Sequence, residues 1–168
     1  MKLNAKVVIP ILIVALFVAV GVGVGTYLAT RDATKYNGII PYADNAVVLD
    51  KGGEIEPAEQ GWINLKYNYQ AFSKDGVHFS CFLANDAGNE YDLFFDLFAD
   101  VEATDRLFLS GLLPPGTALN TVELNRALPV GSTTVYVAFN QVGTDEDGEQ
   151  ALVGQSVVTV EFIVLEDE

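Results

Sequence analysis

Four aspartates at short spacing are candidates for the paired carboxylates of a glycoside hydrolase: Asp92, Asp96, Asp100 and Asp105. In such enzymes one carboxyl group protonates the leaving group and the second acts as a nucleophile or a base. Asp92 and Asp96 fall on one face of a predicted strand, but about 13 Å of backbone separates them. That distance is too large for a catalytic pair without a residue from another strand, so catalysis is the less favoured interpretation.

The only histidine, His78, lies close to Ser80 and Cys81, which invites comparison with a nucleophilic triad. No nucleophile elbow and no second histidine accompany these residues, and alternate outward positions of a strand explain His78 and Ser80. Cys81 is the single cysteine, so an internal disulfide is excluded, and a small buried core residue is favoured over a reactive thiol. We therefore predict no catalytic residue and a chain that is not an enzyme.

Metal binding is the other chemistry that the acidic residues suggest. The richest cluster lies in one predicted hairpin tip: Asp145, Glu146, Asp147, Gly148 and Glu149. Hard cations favour several carboxylate oxygens on a tight loop, but the spacing of an EF-hand is missing here. A second acidic loop contains Asp86, Glu90 and Asp92. We interpret both loops as solvated charge and predict no metal and no cofactor.

The residues that could do chemistry lie within a succession of strands. From residue 62 onward apolar and polar side chains alternate with a period of two, and Gly, Pro and Asn-rich turns separate the runs. About seven strands without a helix predict an all-β fold, specifically an immunoglobulin-like antiparallel β-sandwich. A closed barrel is the alternative. The long last strand, residues 155–165, could pair edge to edge with another chain.

Four phenylalanines fall opposite the main apolar series of their strands: Phe82, Phe94, Phe98 and Phe108. If these strands share a sheet, the four rings would form an exposed apolar patch of the kind that marks contact sites. The alternative is that both faces of the sheet are covered, or that the register is shifted by one residue.

An uncharged apolar run covers residues 7–29, with Lys2 and Lys6 before it and Arg31 after it. At about 1.5 Å per residue, such a helix crosses a hydrocarbon core of roughly 30 Å. The run is longer than the apolar part of a signal peptide, and no small-x-small cleavage site follows it. We predict one N-terminal transmembrane signal-anchor at the cell membrane, with a cleaved signal peptide as the alternative.

The anchor divides the chain into a cytoplasmic stub of residues 1–6, the transmembrane segment 7–29, a spacer 30–45 and an extracytoplasmic β-sandwich domain 46–168. Gly21 and Gly25 have the spacing that allows two membrane helices to approach closely, and a helix-mediated dimer is the alternative to a single anchor helix. All 23 acidic residues follow the anchor, and the formal net charge is −14. This charge argues against a nucleic-acid partner, which requires basic patches.

Three phrases within residues 91–140 carry a resemblance to a known class of protein: YDLFFDLF, LFLSGLLPPG and LNTVELNRALPVGSTTVYVAF. They resemble small membrane-anchored surface proteins of Gram-positive bacteria. The later half is also similar to immunoglobulin-like modules with a Leu-x-Ala-Gly-Thr-Tyr phrase, although Val130 replaces the usual alanine. The shared residues are turn residues, and the family has no established activity. The resemblance therefore implies a fold and a surface location, and no catalytic residue.

These observations favour a non-catalytic, membrane-tethered module that binds a surface or envelope protein or contributes to envelope assembly. The alternative is an accessory structural subunit of a secretion, conjugation or surface-filament apparatus. The Gly21–Gly25 spacing and the long last strand favour this alternative. An envelope hydrolase is the least favoured function.

Overall fold

The computed structural model describes residues 39–50, 55–59 and 62–166 of the 168 residues. These residues form nine strands, and no helix occurs among them. The strands are β1 (Val47–Val48), β2 (Leu65–Tyr67), β3 (Gln70–Ser73), β4 (His78–Asn85), β5 (Asp92–Phe98), β6 (Arg106–Leu109), β7 (Thr117–Glu123), β8 (Gly131–Thr144) and β9 (Gln150–Val164). The all-β prediction is confirmed for this part of the chain.

The predicted membrane anchor falls outside these ranges. The stub 1–6, the apolar run 7–29 with Gly21 and Gly25, and residues 30–38 of the spacer are not among the described residues. Within the described ranges, no helix has the length and apolarity needed to span a bilayer. The described end of the spacer is bonded to the domain, because Ala43 N donates to Leu112 O at 2.9 Å and Leu112 N donates to Pro41 O at 2.8 Å.

The strands form one curled, mixed sheet in the order β1-β7-β4-β3-β9-β8-β5-β6, with β2 paired to β4. All pairs are antiparallel except β3 with β9, which run parallel from Gln70 opposite Glu161 to Ser73 opposite Val164. The prediction of a wholly antiparallel arrangement is therefore wrong at this pair. Side-chain alternation has the same period in both kinds of sheet, so it carries no information on strand direction.

The curl brings distant parts of the sheet together. Leu93 of β5 exchanges two backbone hydrogen bonds with Leu113, at 3.0 and 2.7 Å, and Asn125 N donates to Leu107 O of β6 at 2.9 Å. The side chains of the inner face form a single cluster that includes Phe79, Phe95, Phe139 and Phe162. These aromatic side chains bury large apolar areas, which is the main favourable term in folding.

A buried polar network fixes the loop between β4 and β5. Asn85 is fully buried, and its Nδ2 donates to Tyr91 O and Leu113 O. Its Oδ1 accepts a bond from Asn89 Nδ2 at 2.9 Å, and Asn89 in turn bonds the backbone of Asn64. Among the described residues no buried side-chain polar atom lacks a partner. The role of this network is structural, because a buried network in which every group is hydrogen-bonded specifies one conformation of the loop.

Both faces of β5 are buried, which changes the interpretation of the phenylalanines. Phe94 and Phe98 are only 1% and 8% exposed, and Phe82 and Phe108 are half-buried. The interpretation of the four phenylalanines as an exposed patch is therefore wrong, and the alternative of a covered face holds for Phe94 and Phe98. Apolar residues on the second face of a strand indicate coverage on both sides as readily as a contact site, and the buried state is the one found.

Candidate functional site

The sheet divides at the junction between β2 and β3. The sequence predicts one strand over residues 62–70, but the structure has β2 and β3 with a break at Asn68 and Tyr69. Both strands pair with β4, and their register differs: Tyr67 lies opposite Leu83, whereas Phe72 lies opposite Ser80. On its other side β3 pairs with β9, while β2 pairs only with β4 among the described residues.

Among the residues that the structure describes, this division leaves one edge of β9 without a neighbouring strand over most of its length. On one side β9 pairs with β8 from Gln150 to Val164. On the other side its pairing with β3 begins at Glu161, whose amide donates to Tyr69 O at 3.0 Å. Residues 151–160 have no backbone partner on that side in the described part of the chain. We call this segment the open edge of β9.

The backbone groups of the open edge alternate in direction. The amide of Glu161 faces β3, so the amides and carbonyls of Thr159, Val157 and Gln155 face the same, unpaired side. Those of Val158 and Val160 face β8 and are bonded there, opposite Val137 and Val135. Within the described part of the chain, the open edge therefore has a row of unpaired backbone donors and acceptors, and such a row can pair with another strand.

The side chains of the open edge do little to prevent such pairing. Natural edge strands are commonly protected by charged residues, by proline or by strong bulges. Residues 151–160 read ALVGQSVVTV and contain neither a charge nor a proline. Their one irregularity is a shift of register between Leu152 and Gly154. At about 3.3 Å per residue the open edge is roughly 30 Å long.

Two tyrosines lie where the sheet divides. Tyr69 is 73% exposed, and its ring meets that of Tyr67 edge to face with the centroids 5.1 Å apart. Tyr67 also contacts the core ring of Phe139 at 5.8 Å, and burial raises the pKa of Tyr67. Aromatic side chains of this kind give an apolar body and a polar tip to a contact surface.

Carboxylates flank the open edge at both ends. The hairpin tip before β9 holds Asp145, whose Oδ1 accepts bonds from the amides of Asp147 and Glu149 at 3.0 and 2.9 Å. After the open edge comes Glu161, whose carboxylate accepts bonds from the hydroxyls of Ser132 and Thr134. These two bonds lower the pKa of Glu161, so it is charged at neutral pH.

His78 forms a surface contact rather than a triad. Its Nδ1 lies 2.7 Å from Oδ2 of Asp75, and this bond raises the pKa of His78. The amide and ring of His78 and the amide of Val77 lower the pKa of Asp75. Asp75 is not among the predicted site residues, although an aspartate in a Lys-Asp-Gly turn is a common acceptor for the amides that follow it. Ser80 makes no hydrogen bond to His78 among the described contacts.

Cys81 is half-buried and is not activated. Burial raises the pKa of its thiol to about 12. The thiolate is the nucleophilic form of cysteine, so a thiol with this pKa is inert at neutral pH. Cys81 packs against the inner cluster but is only partly buried, so the prediction of a buried core residue is met in part.

Each of the four aspartates proposed for hydrolysis has a structural bond or ion pair of its own. Asp96 is 1% exposed and bonds Arg106 through both carboxylate oxygens, each at 2.8 Å. The other three bind as follows: Asp92 accepts from Tyr42 Oη, Asp100 caps the amides of Thr104 and Asp105, and Asp105 pairs with Arg126. Each of these carboxylates is therefore occupied by a structural contact, and Asp100 meets Asp105 through the backbone amide of Asp105.

The acidic loops are also organised by local bonds. Asp86 pairs with Lys66 and accepts a bond from the Gly88 amide at 2.8 Å. In the ranges that the structure describes, no group of three or more His, Cys, Asp or Glu side chains is placed to hold a metal ion.

No family model, no curated protein and no solved structure matches this chain. The resemblance to Gram-positive surface proteins therefore stays a prediction. The open edge of β9 is the feature of the described domain that is best suited to a function. The sequence indicated a long last strand able to pair with another chain, but it did not indicate which half of that strand is free.

Proposed function

We propose that this chain is a membrane-tethered, extracytoplasmic module that binds a protein partner by adding a strand of that partner to β9, without catalysing a reaction. The observation that carries the proposal is the open edge of β9, an uncharged strand edge whose backbone donors and acceptors have no partner among the described residues. Strand addition uses main-chain hydrogen bonds for affinity and neighbouring side-chain contacts for specificity.

The surroundings of the open edge support this function. A buried core and a polar network whose described members are all hydrogen-bonded stabilise the domain. The open edge therefore belongs to a well-packed sheet. Tyr69 adds an exposed ring at the point where the partner strand would meet β3. The candidate nucleophile, Cys81, is not activated, and the buried carboxylate of Asp96 is bound to Arg106 in an ion pair.

The location and the finer fold belong to the same proposal. The apolar run of residues 7–29 would tether the domain at the cell membrane, and the acidic domain would lie outside. An immunoglobulin-like relationship is supported by two groups of strands, β1-β7-β4-β2 and β9-β8-β5-β6, that meet at the β3–β9 pair. Partners would be surface or envelope proteins that present an extended segment.

Site-specific photo-crosslinking of the full-length protein in intact cells tests the function. A photoreactive residue at Val153, which is 49% exposed within the open edge, should form adducts with a protein partner. The matched control is Val130, which is 59% exposed and precedes the far end of the β8–β9 pair. Adducts at Val153 but not at Val130 support the proposal, whereas none at Val153, or equal adducts at both sites, contradict it.

A further inference from the structure

The charges around the open edge of β9 restrict which strand it can accept. At one end of the edge the hairpin tip carries four carboxylates, from Asp145, Glu146, Asp147 and Glu149. At the other end lies Glu161, and between them residues 151–160 are uncharged. The basic side chain of β2, Lys66, is paired with Asp86. The edge is therefore a neutral strand between two acidic ends.

This pattern disfavours a second copy of the chain as the occupant. Antiparallel pairing of two open edges about a two-fold axis would bring the acidic tip of one chain to Glu161 of the other. Like charges at close range oppose association and suppress wrong partners. The net charge of −14 per chain adds a repulsion over longer distances.

We propose that the open edge binds an extended segment of another protein with a neutral, β-branched centre and lysine or arginine at its ends. The inference rests on the proposed function and specifies the chemistry of its partner. The centre of the segment pairs with the outward backbone groups of Gln155, Val157 and Thr159. Its basic end residues meet the acidic tip and Glu161, which gives the complementarity that steers association.

Two synthetic peptides test the inference against the full-length protein in nanodiscs of zwitterionic lipid, which does not attract basic peptides by itself. The first, KKTVTVTVTKK, has lysine ends, and the second, EETVTVTVTEE, has the same centre with glutamate ends. We expect the lysine peptide to bind at least about tenfold more tightly at low salt, and the difference to shrink when salt screens the charges. Fluorescence anisotropy of labelled peptides gives both affinities.

Two protein variants locate the binding. Thr159→Pro removes an amide that faces outward, so the β8–β9 bonds survive while one docking donor is lost. Glu146→Gln combined with Asp147→Asn removes two charges at the tip. It leaves unchanged Asp145, whose side chain accepts hydrogen bonds from backbone amides of the tip. The control for charge is Glu90→Gln combined with Glu123→Gln, which removes two carboxylates that are not on β9 or its hairpin.

The inference is supported if Thr159→Pro abolishes binding of the lysine peptide and if the tip variant lowers its affinity while the control variant does not. It is overturned if both peptides bind equally, if neither binds, or if the tip and control variants behave alike. The tip variant keeps the test decisive should Thr159→Pro fail to fold. Failure here with adducts still forming at Val153 in cells contradicts only the partner chemistry and leaves strand addition in place.

Discussion

The amide of Glu161 donates a hydrogen bond to the carbonyl of Tyr69 at 3.0 Å. From this bond towards the hairpin tip, no described residue forms a backbone hydrogen bond with the same side of β9. This contact marks the point where the sheet divides. Beyond it, β2 continues along β4 and β9 continues along β8. A strand that is paired on one side and unpaired on the other is a suitable template for a partner strand.

The packing of Phe139 should be central to the stability of the domain. Its ring meets that of Phe95, its direct cross-strand neighbour, edge to face at 4.9 Å, and Phe139 is fully buried. We expect Phe139→Ala to lower the free energy of unfolding by about 4 kcal/mol, because it loses apolar burial and leaves a cavity. Urea denaturation measures this value. Phe72→Ala, at a 43% exposed position, is the control and should cost about 1 kcal/mol or less. Equal losses would contradict the assignment of the core.

The ion pair of Asp96 and Arg106 should matter far more than other ion pairs of the domain. Asp96 is buried and is held through two hydrogen bonds, so Arg106→Met should lower the free energy of unfolding by about 3 kcal/mol. Arg106→Lys should recover only part of this, since lysine cannot bind both oxygens in a planar fork. Arg126→Met breaks an ion pair with Asp105 in which both side chains are about half exposed. We expect this variant to lower the free energy of unfolding by about 0.5 kcal/mol. A similar loss in the two Met variants would refute this ranking.

The contact of Asp75 with His78 should appear in a pH titration by NMR. We expect the pKa of His78 to lie above 6.5, because the Asp75 carboxylate accepts a bond from its ring. A raised histidine pKa gives a stabilising contribution that is complete below pH 6.5 and is lost as the pH rises through the folded value. The lowered pKa of Asp75 gives a contribution that is present above pH 3.8 and is lost in more acidic solution.

The contact therefore contributes most between about pH 4 and pH 6.5. Asp75→Asn should return the pKa of His78 towards its ordinary value, while Glu123→Gln should change it much less, since that carboxylate is 3.9 Å away. An unchanged pKa in Asp75→Asn would exclude this carboxylate as the cause.

The thiol of Cys81 should react slowly in the folded protein. With its pKa raised to about 12 by burial, Cys81 has almost no thiolate at pH 8. Reaction with Ellman's reagent should be about a hundredfold slower, or more, than in denaturant. A rate in native buffer that matches the rate in denaturant would show that Cys81 is accessible and unperturbed.

Alternation of side chains was sufficient to predict strands, because a period of two is imposed by the backbone of any strand. The inner positions of β5, with Leu93, Phe95 and Leu97, and of β8, with Val135 and Val137, follow that pattern. The second face of β5 could not be assigned in this way. Phe94 and Phe98 are compatible with either an exposed patch or a covered face.

Partners and directions of strands could not be predicted either. The parallel pairing of β3 with β9 joins residues that are far apart in sequence, and no local pattern specifies it. The break at Asn68 and Tyr69 also escapes a periodicity argument, since alternation continues through it. The open edge of β9 exists because of these two features, so it became visible only in the folded chain.

Amide hydrogen exchange along β9 tests the open edge most directly. In the full-length protein without a partner, we predict fast exchange at Gln155, Val157 and Thr159, whose amides face outward, and strong protection at Val158 and Val160, which are bonded to β8. This alternation of fast and slow amides would support an edge free to accept a strand. Uniform protection from residue 155 to 160 would contradict it, because the outward amides would then already be paired.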